Sequence, residues 1–256
     1  MKRIMLAEIV GKKLLAENIY QMDLKLPSDE RMLAGQFVNV YLKDREMLLP
    51  RPIVVCKCRD GILTLVFRKS GKGTGALAGY RIGKRIKVSS GLGNGYMLDD
   101  CYEGKRVLLI SGGIGIPALV QLARYLHNRG AYVVAVLGYK GEVFLEDELA
   151  LYCDELHICT ENGKSGFKGT VLEYIKEHGI YADYAFGCGP RPMLKVVTEY
   201  CLEHDIPIQI SLEERMGCGY GACIGCVCTL KINGELVKKQ VCLDGPIFYG
   251  NEVVWE

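Results

Sequence analysis

The chain has 256 residues, 49% of them apolar, with 32 basic and 30 acidic residues for a formal charge of +2. That length holds one or two full domains plus an appendage, and the interspersed charges exclude the basic footprint of a nucleic-acid binder. No run of about 18 uncharged apolar residues is present to cross a membrane as a helix, and twelve cysteines, five of them between 218 and 242, suit metal ligation better than a disulfide framework. A soluble, unexported protein of the reducing cytoplasm is expected.

The first hundred residues predict a small antiparallel barrel. Short runs QFVNVYL (36–42), PIVVCKC (52–58), GILTLVF (61–67) and RIKVSS (85–90) are separated by turn residues. Between the third and fourth lies SGKGTGALAGY, whose glycines let a backbone approach a ligand closely, with a helical turn expected after it. From about 104 the pattern becomes strand, glycine turn, amphipathic helix and strand in KRVLLISGGIGIPALVQLARYLHNRG and AYVVAVLGY. Helices EDELALYC, GTVLEYIKEHG and RPMLKVVTEYCLEH alternate with strands ELHICT and YADYAFGCGP, the signature of a parallel sheet with helices on both faces. After IPIQISLEERM come a Cys/Gly-rich loop, the hairpin CTLKINGELVKKQVC with its Asn233-Gly234 turn, and a short tail. The expected units are 1–98, 99–212 and 213–256, a multidomain β and α/β chain.

Chemistry is concentrated in three places. CGYGACIGC followed by Cys242 places Cys218, Cys223, Cys226 and Cys242 as C-x4-C-x2-C plus a distant fourth cysteine, the spacing of a [2Fe-2S] loop. Gly217, Gly219, Gly221 and Gly225 relieve crowding where such a loop must present thiolates and amides together. Zinc is the competing ion, although zinc sites usually pair two short knuckles. Cys228 is expected to point away along a strand and is left out of the ligand set. In SGGIGIPAL, Gly112, Gly113 and Gly115 let a pyrophosphate approach backbone amides where a helix begins, with Pro117 in its first turn. FGCGPRPM forms a second glycine turn at a strand end, and Cys188 within it lacks an evident partner base, so no covalent role is expected. In the barrel half, Arg51-Pro52, Arg68 and Gly73-Thr74 supply charge, amides and a hydroxyl suited to a diphosphate. His127, His157, His178 and His204 are read as structural.

RP-I-V, VFR, G-K-GT, SGLGNGY, SGGIGIP and FGCGPRPM, in this order, resemble the ferredoxin-NADP reductase family over nearly the whole chain. That resemblance implies a six-stranded antiparallel FAD barrel followed by a pyridine-nucleotide domain. It implies that Arg51, Pro52, Ile53, Val54, Val66, Phe67, Arg68, Gly73 and Thr74 hold FAD, and that Gly112, Gly113, Gly115, Ile116, Pro117, Cys188, Gly189 and Pro190 meet NAD. Val54 departs from the family, in which many members carry serine or threonine. With LEERMGCGYGACIGCVC and VCLDGPIF added, the chain is similar to the electron-transfer subunits of NAD-dependent type B dihydroorotate dehydrogenases.

The similarity implies a relay in which NAD exchanges a hydride with FAD and FAD exchanges single electrons with the cluster. It further implies a separate FMN-containing catalytic subunit that oxidises dihydroorotate to orotate, assembled as a heterotetramer of two plus two, with the cluster near the docking face. The IFYGNEVVW tail is weighed both as an interface and as simple packing. The competing enzyme reading is the small subunit of another flavoprotein, such as an NADPH:ferredoxin oxidoreductase, a sulfide dehydrogenase, a hydrogenase or a sulfite reductase. Small subunits of the first two kinds tend to have aspartate where Cys218 stands. A non-catalytic zinc-binding module is the alternative from another class. The segment after GYKGEVFLEDEL lacks an arginine for a ribose 2′-phosphate, which favours NAD over NADP.

Overall fold

In the computed structural model, which describes residues 3–42, 47–98 and 102–255, alternation builds the first strand, β1 (Ile4–Ala16). Its Met5, Ala7 and Ile9 are buried while Ile4, Leu6 and Val10 reach the surface. Strands β2 (Ile19–Lys25), β3 (Phe37–Tyr41), β4 (Arg51–Arg59) and β5 (Ile62–Arg68) follow, then helix α1 (Lys72–Ala78) and strand β6 (Arg85–Ser89). They close into an antiparallel barrel of order β1-β2-β5-β4-β3-β6, filled by Val38, Val40, Leu63, Leu65, Ile86 and Val88. The expected barrel is therefore present, with two further strands in the N-terminal stretch ahead of the four runs. Helix α1 starts inside the glycine loop, earlier than the turn expected after it.

The second half is an α/β layer. Strand β7 (Arg106–Gly112) leads through a 3-10 turn at Gly113–Gly115 into α2 (Pro117–His127), and β8 (Tyr132–Tyr139) follows. Next come α3 (Glu146–Ala150), β9 (Glu155–Thr160), β10 (Phe167–Lys168), α4 (Val171–Glu177), β11 (Tyr184–Cys188), α5 (Arg191–Glu203) and β12 (Ile208–Ser211). The C-terminal module holds the hairpin β13 (Val227–Ile232) and β14 (Glu235–Gln240), then β15 (Ile247–Tyr249). The sheet runs β10-β9-β8-β7-β11-β12-β15, parallel except for β15. Val107 and Leu109 of β7 face the core shared with α2, and Leu108 and Ile110 face the core shared with α4 and α5, so both faces are covered.

Two further features escaped the sequence patterns. The two-residue strand β10 is too short to show a period. Strand β15 takes part of the tail antiparallel onto β12, where it covers an edge that would otherwise expose unpaired backbone groups. Phe248 is thereby buried in the core that also holds Cys226 and Cys242, and Trp255 packs against it. For these two aromatics the packing reading holds. Asn233 and Gly234 take φ of 52° and 86°, as a primed hairpin turn requires.

The barrel docks on α2 of the nucleotide sheet. Cys56 and Val66 join the α2 core, the Cys58 amide donates to Gln121 Oε1 at 3.0 Å, and Lys57 pairs with Glu148 at 2.8 Å.

Candidate functional site

A cavity of about 300 Å³ lies between the barrel and the C-terminal ends of the parallel strands, where ligands bind in open α/β sheets and at the small end of the usual ligand-site range. Its barrel wall is made by Phe37, Pro52, Ile53, Val54, Val66, Phe67 and Arg68, and Ser70 and Thr74 close one end. Ile114, Cys188, Ser211, Glu213 and Met216 form the opposite wall. Apolar β-strand residues on one side and a few polar groups on the other suit a planar aromatic ring. Eight of the residues singled out in the sequence meet here: Pro52, Ile53, Val54, Val66, Phe67, Arg68, Thr74 and Cys188. Ser211, Glu213 and Met216 were missed, although their position at and just beyond the end of a parallel strand was a usable signal.

Arg51 and Gly73 sit beside this cavity, in contact with each other. A Cβ at Gly73 would stand 1.9 Å from Arg51 Nε, so the absent side chain is what lets the guanidinium lie on the first turn of α1. Arg51 Nη1 also donates to the Leu49 carbonyl at 3.0 Å. A guanidinium beside loop amides is a fitting cradle for a diphosphate. The Thr74 hydroxyl differs from expectation: it accepts from the amides of Ser70 and Gly71 at 2.9 and 3.2 Å, so it ties its own loop together.

The two glycine turns press backbone against backbone. A Cβ at Gly115 would lie 2.5 Å from the Cys188 carbonyl oxygen, one at Gly189 2.9 Å from the Gly112 amide, and one at Gly112 2.8 Å from Met193 Sδ. Gly115 and Gly189 are thus required by the contact between the turns, before any ligand is considered, whereas Gly112 faces the end of the flexible Met193 side chain. Gly113 is different, with φ of 54° and only Arg68 Nη2 near its missing Cβ, at 3.5 Å. Ile116 and Pro117 are buried and seat α2, which leaves their backbone alone to meet a ligand. Gly189 and Pro190 follow Cys188 at the end of β11, beside the cavity. The Ser111 hydroxyl donates to the Cys188 carbonyl at 2.6 Å, locking the turns together. Burial pushes the Cys188 thiol up to about 12, Glu213 adding to it and a Ser211 hydrogen bond opposing, so it stays protonated and is no nucleophile.

The cluster loop lies against the barrel. Amides of Tyr220 and Cys223 donate to Cys218 Sγ at 3.5 and 3.4 Å, and the Cys242 amide donates to Cys226 Sγ at 3.5 Å. Partial burial raises the Cys218 thiol, but those two amides, the Cys223 thiol and the Ala222 amide outweigh it and bring it down to about 6. Cys242, buried and facing the Cys226 thiol, is pushed up to about 12. The thiols therefore meet as two pairs, Cys218 with Cys223 and Cys226 with Cys242. Among the described residues no three His, Cys, Asp or Glu side chains are grouped to hold a metal ion. Two pairs fit a two-iron cluster, with two thiolates for each iron, better than one tetrahedral zinc. Gly219 and Gly221 adopt φ of 74° and 89°, and a Cβ at Gly217 would stand 3.3 Å from Cys223 Sγ, so these three glycines relieve crowding as expected, whereas a Cβ at Gly225 would meet only ordinary contacts of 3.5 Å or more. Cys228 lies on β13 and is buried.

Met216, two residues before Cys218, lines the cavity, and Phe37 lines it while packing in the core of Cys226 and Cys242. Arg191, next to Pro190, pairs with Glu214 of the same arm at 2.6 Å. Cavity, nucleotide turns and cluster loop thus adjoin.

Comparison with known proteins gives a consistent picture. Residues 213–254 match the family described as the iron-sulfur cluster binding domain of dihydroorotate dehydrogenase B. Over 96% of both chains, the sequence is 43% identical to the dihydroorotate dehydrogenase B (NAD(+)) electron transfer subunit of Geobacillus sp. (strain WCH70). It is 40% identical, again over 96% of both chains, to the protein of the same name from Bacillus caldolyticus. A solved structure of an NADH-dependent reduced ferredoxin-NADP oxidoreductase, described for flavin-based electron bifurcation, superposes with a TM-score of 0.86 and 31% identity over 98% of this chain and 90% of its own. A ferredoxin NADP+ reductase from Neisseria gonorrhoeae shares the fold at TM-score 0.67 and 16% identity, over 79% of this chain and 91% of its own.

Proposed function

The chain belongs to the family of electron transfer subunits of NAD(+)-dependent dihydroorotate dehydrogenase B, and from that premise we propose that it carries electrons from a dihydroorotate-oxidising partner to NAD+ through a [2Fe-2S] cluster and FAD. The observation that carries this reading is the shared wall: Met216 of the cluster arm, Cys188 of the nucleotide turn and Val54 of the barrel line one cavity. The alternative of a reduced ferredoxin-NADP oxidoreductase subunit is less favoured, since identity to that structure is 31% against 43% to the Geobacillus subunit.

Arg51, with Gly73 and Thr74, is assigned to the FAD diphosphate, and Pro52, Ile53, Val54, Val66, Phe67 and Arg68 to its ring system and ribityl chain. Gly112, Gly113, Gly115, Ile116 and Pro117 offer backbone to the NAD pyrophosphate, and Cys188, Gly189 and Pro190 flank the nicotinamide. Cys218, Cys223, Cys226 and Cys242 are assigned to the cluster. When bound, FAD supplies the conversion between paired electrons from nicotinamide and single electrons from the cluster. Phe37, Val54 and Ile114 exclude water from the cavity, and the protonated Cys188 thiol places no charge beside the nicotinamide. Arg68 lies beside Gly113 and opposes the burial that raises Glu213.

The partner is proposed to be an FMN-containing catalytic subunit, two of each chain forming a heterotetramer. Its docking face is assigned to the groove that Cys218 and Cys223 line together with Tyr41, Leu48, Leu49 and Tyr220. Leu48 is 86% exposed and Ile224, beside Cys223, 84%, an apolar rim that supports an interface at the cluster. In the tail Tyr249 is 42% exposed, on another face, and Trp255 is only partly buried. Among the described residues no helix is long and apolar enough to cross a membrane; the cysteine usage supports the cytoplasm as the working compartment.

A visible spectrum with iron and acid-labile sulfide assays, before and after NADH, tests the proposal. Flavin and sulfide-rich bands that both bleach are expected. Cys223→Ser should lose the cluster while retaining FAD and NADH-dependent dye reduction. A colourless sample containing zinc, shown not to have lost a cluster in preparation, would overturn the reading.

A further inference from the structure

Asn39 is a polar residue buried completely in β3, at the seam between the barrel and the cluster loop. Its neighbours Val38 and Val40 fill the barrel, so alternation turns Asn39 outward, towards the C-terminal module. Asn39 Nδ2 donates to the carbonyl oxygen of Cys218 at 2.8 Å, a contact across 179 residues of sequence. The side-chain amide also lies flat on Gly219, where a Cβ would come within 2.6 Å of both Nδ2 and Oδ1. The backbone amide of Asn39 is held by Ser89 Oγ at 2.9 Å, and the residue pairs in register with Pro52 of the cavity wall. Oδ1 is buried and has no hydrogen-bond partner among the described residues. Leaving a buried acceptor unsatisfied costs about 1–3 kcal/mol, so barrel stability alone does not account for an asparagine here.

We propose that Asn39 is a positioning residue for the cluster: by gripping the Cys218 carbonyl it fixes the peptide of the first ligand, and with it the direction in which the Tyr220 and Cys223 amides meet Cys218 Sγ. Hydrogen bonding around the sulfurs is one of the determinants of cluster potential. Asn39 therefore acts on the cluster's potential from the flavin side of the seam. Its amide hydrogens bring positive charge to the first-ligand peptide and favour the reduced, more negative cluster. This inference rests on the assignment of Cys218 as a ligand.

The experiment compares purified full-length wild type with Asn39→Asp, which keeps the shape but loses the donor, and with Asn39→Ala. Asn94→Ala serves as a reference, because Asn94 Nδ2 makes a similar barrel-to-module bond to the Asp244 and Ile247 carbonyls, beyond the last ligand. Cluster content, FAD content, the paramagnetic resonance spectrum of the reduced cluster and its redox titration are measured. Both Asn39 variants should assemble the cluster and keep FAD, with an altered resonance spectrum. At the wild-type midpoint the reduced-to-oxidised ratio should fall several-fold in Asn39→Ala and by about tenfold in Asn39→Asp, a shift of about 59 mV for one electron. Should one variant fail to fold, the other still decides. A spectrum and midpoint that move no more than in Asn94→Ala would overturn the inference while leaving the relay intact. If wild type has no cluster signal, or Cys218→Ser leaves that signal unchanged, the ligand assignment itself fails.

Discussion

Replacing Gly73 by alanine should cost this protein its FAD without costing it its fold. The new methyl would stand 1.9 Å from Arg51 Nε and 2.6 Å from Cζ and Nη2. Carbon contacts need about 3.5 Å, so the guanidinium must withdraw by roughly 1.6 Å, beyond the tolerance of a hydrogen bond to phosphate. A charge-assisted hydrogen bond contributes about 1.5–3 kcal/mol, which corresponds to FAD binding weakened about ten- to a hundredfold. Stability should hardly change, because Arg51 is a flexible, half-buried side chain and alanine is favoured over glycine by about 0.5–1 kcal/mol within a helix. Titration of apoprotein with FAD, followed by quenching of flavin fluorescence, gives the affinity, and urea unfolding of the same samples gives the stability. Arg51→Ala should show a similar loss, and the double variant should lose little more, since both changes remove one contact. Unchanged FAD affinity in Gly73→Ala, or losses that simply add in the double variant, refutes the reasoning.

Gly115→Ala should behave in the opposite way. Its methyl would meet the Cys188 carbonyl at 2.5 Å and Gly189 Cα at 2.8 Å, and β7 and β11 are paired through this region and cannot part. Overpacking of this kind costs about 1–3 kcal/mol, read as a lower urea midpoint together with loss of flavin reduction by NADH. Phe248→Ala should destabilise by about 3–5 kcal/mol because Phe248 is buried under β15; an unchanged midpoint would contradict the tail's packing role. Partial burial raises the Glu155 carboxyl, but hydrogen bonds from Arg106, His157 and Tyr132 outweigh it and hold it below the usual range. A depressed folded value means that this stabilisation is complete above the ordinary glutamate pKa of about 4.3 and is lost as pH falls through the lower one. Glu155→Gln should therefore flatten the acid side of the stability curve, measured as urea midpoints against pH.

How much of this was legible beforehand depends on the distance along the chain over which each feature is written. The cluster loop could be read outright, because three of its thiols and its four glycines lie between 217 and 226 and their spacing is itself the geometry. The βα turns, the helices of the second half and the Asn233-Gly234 hairpin were legible for the same reason. Strands β1 and β2 show alternation too, but charged residues such as Glu8, Lys12 and Lys13 break up their apolar runs.

Contacts between distant segments had no such signature. Gly112, Gly113 and Gly115 look like a phosphate cradle in sequence, whereas Gly115 and Gly189 are required first by the packing of one turn on the other. Glu213 and Ser211 enter the cavity because β12 runs parallel to β11, a pairing no local period announces. Arg51 meets Gly73 only after the barrel closes. Asn39 meets Cys218 only when the third module docks, and the tail becomes a strand only because β12 would otherwise leave an open edge. Local spacing, turn chemistry and hydrophobic period by themselves determined most of the elements and marked the segment that matches an iron-sulfur binding domain. Tertiary packing decided which backbones touch, which polar groups face the shared cavity and where the chain's end is covered, because those depend on surfaces that exist only once separate elements have been brought together.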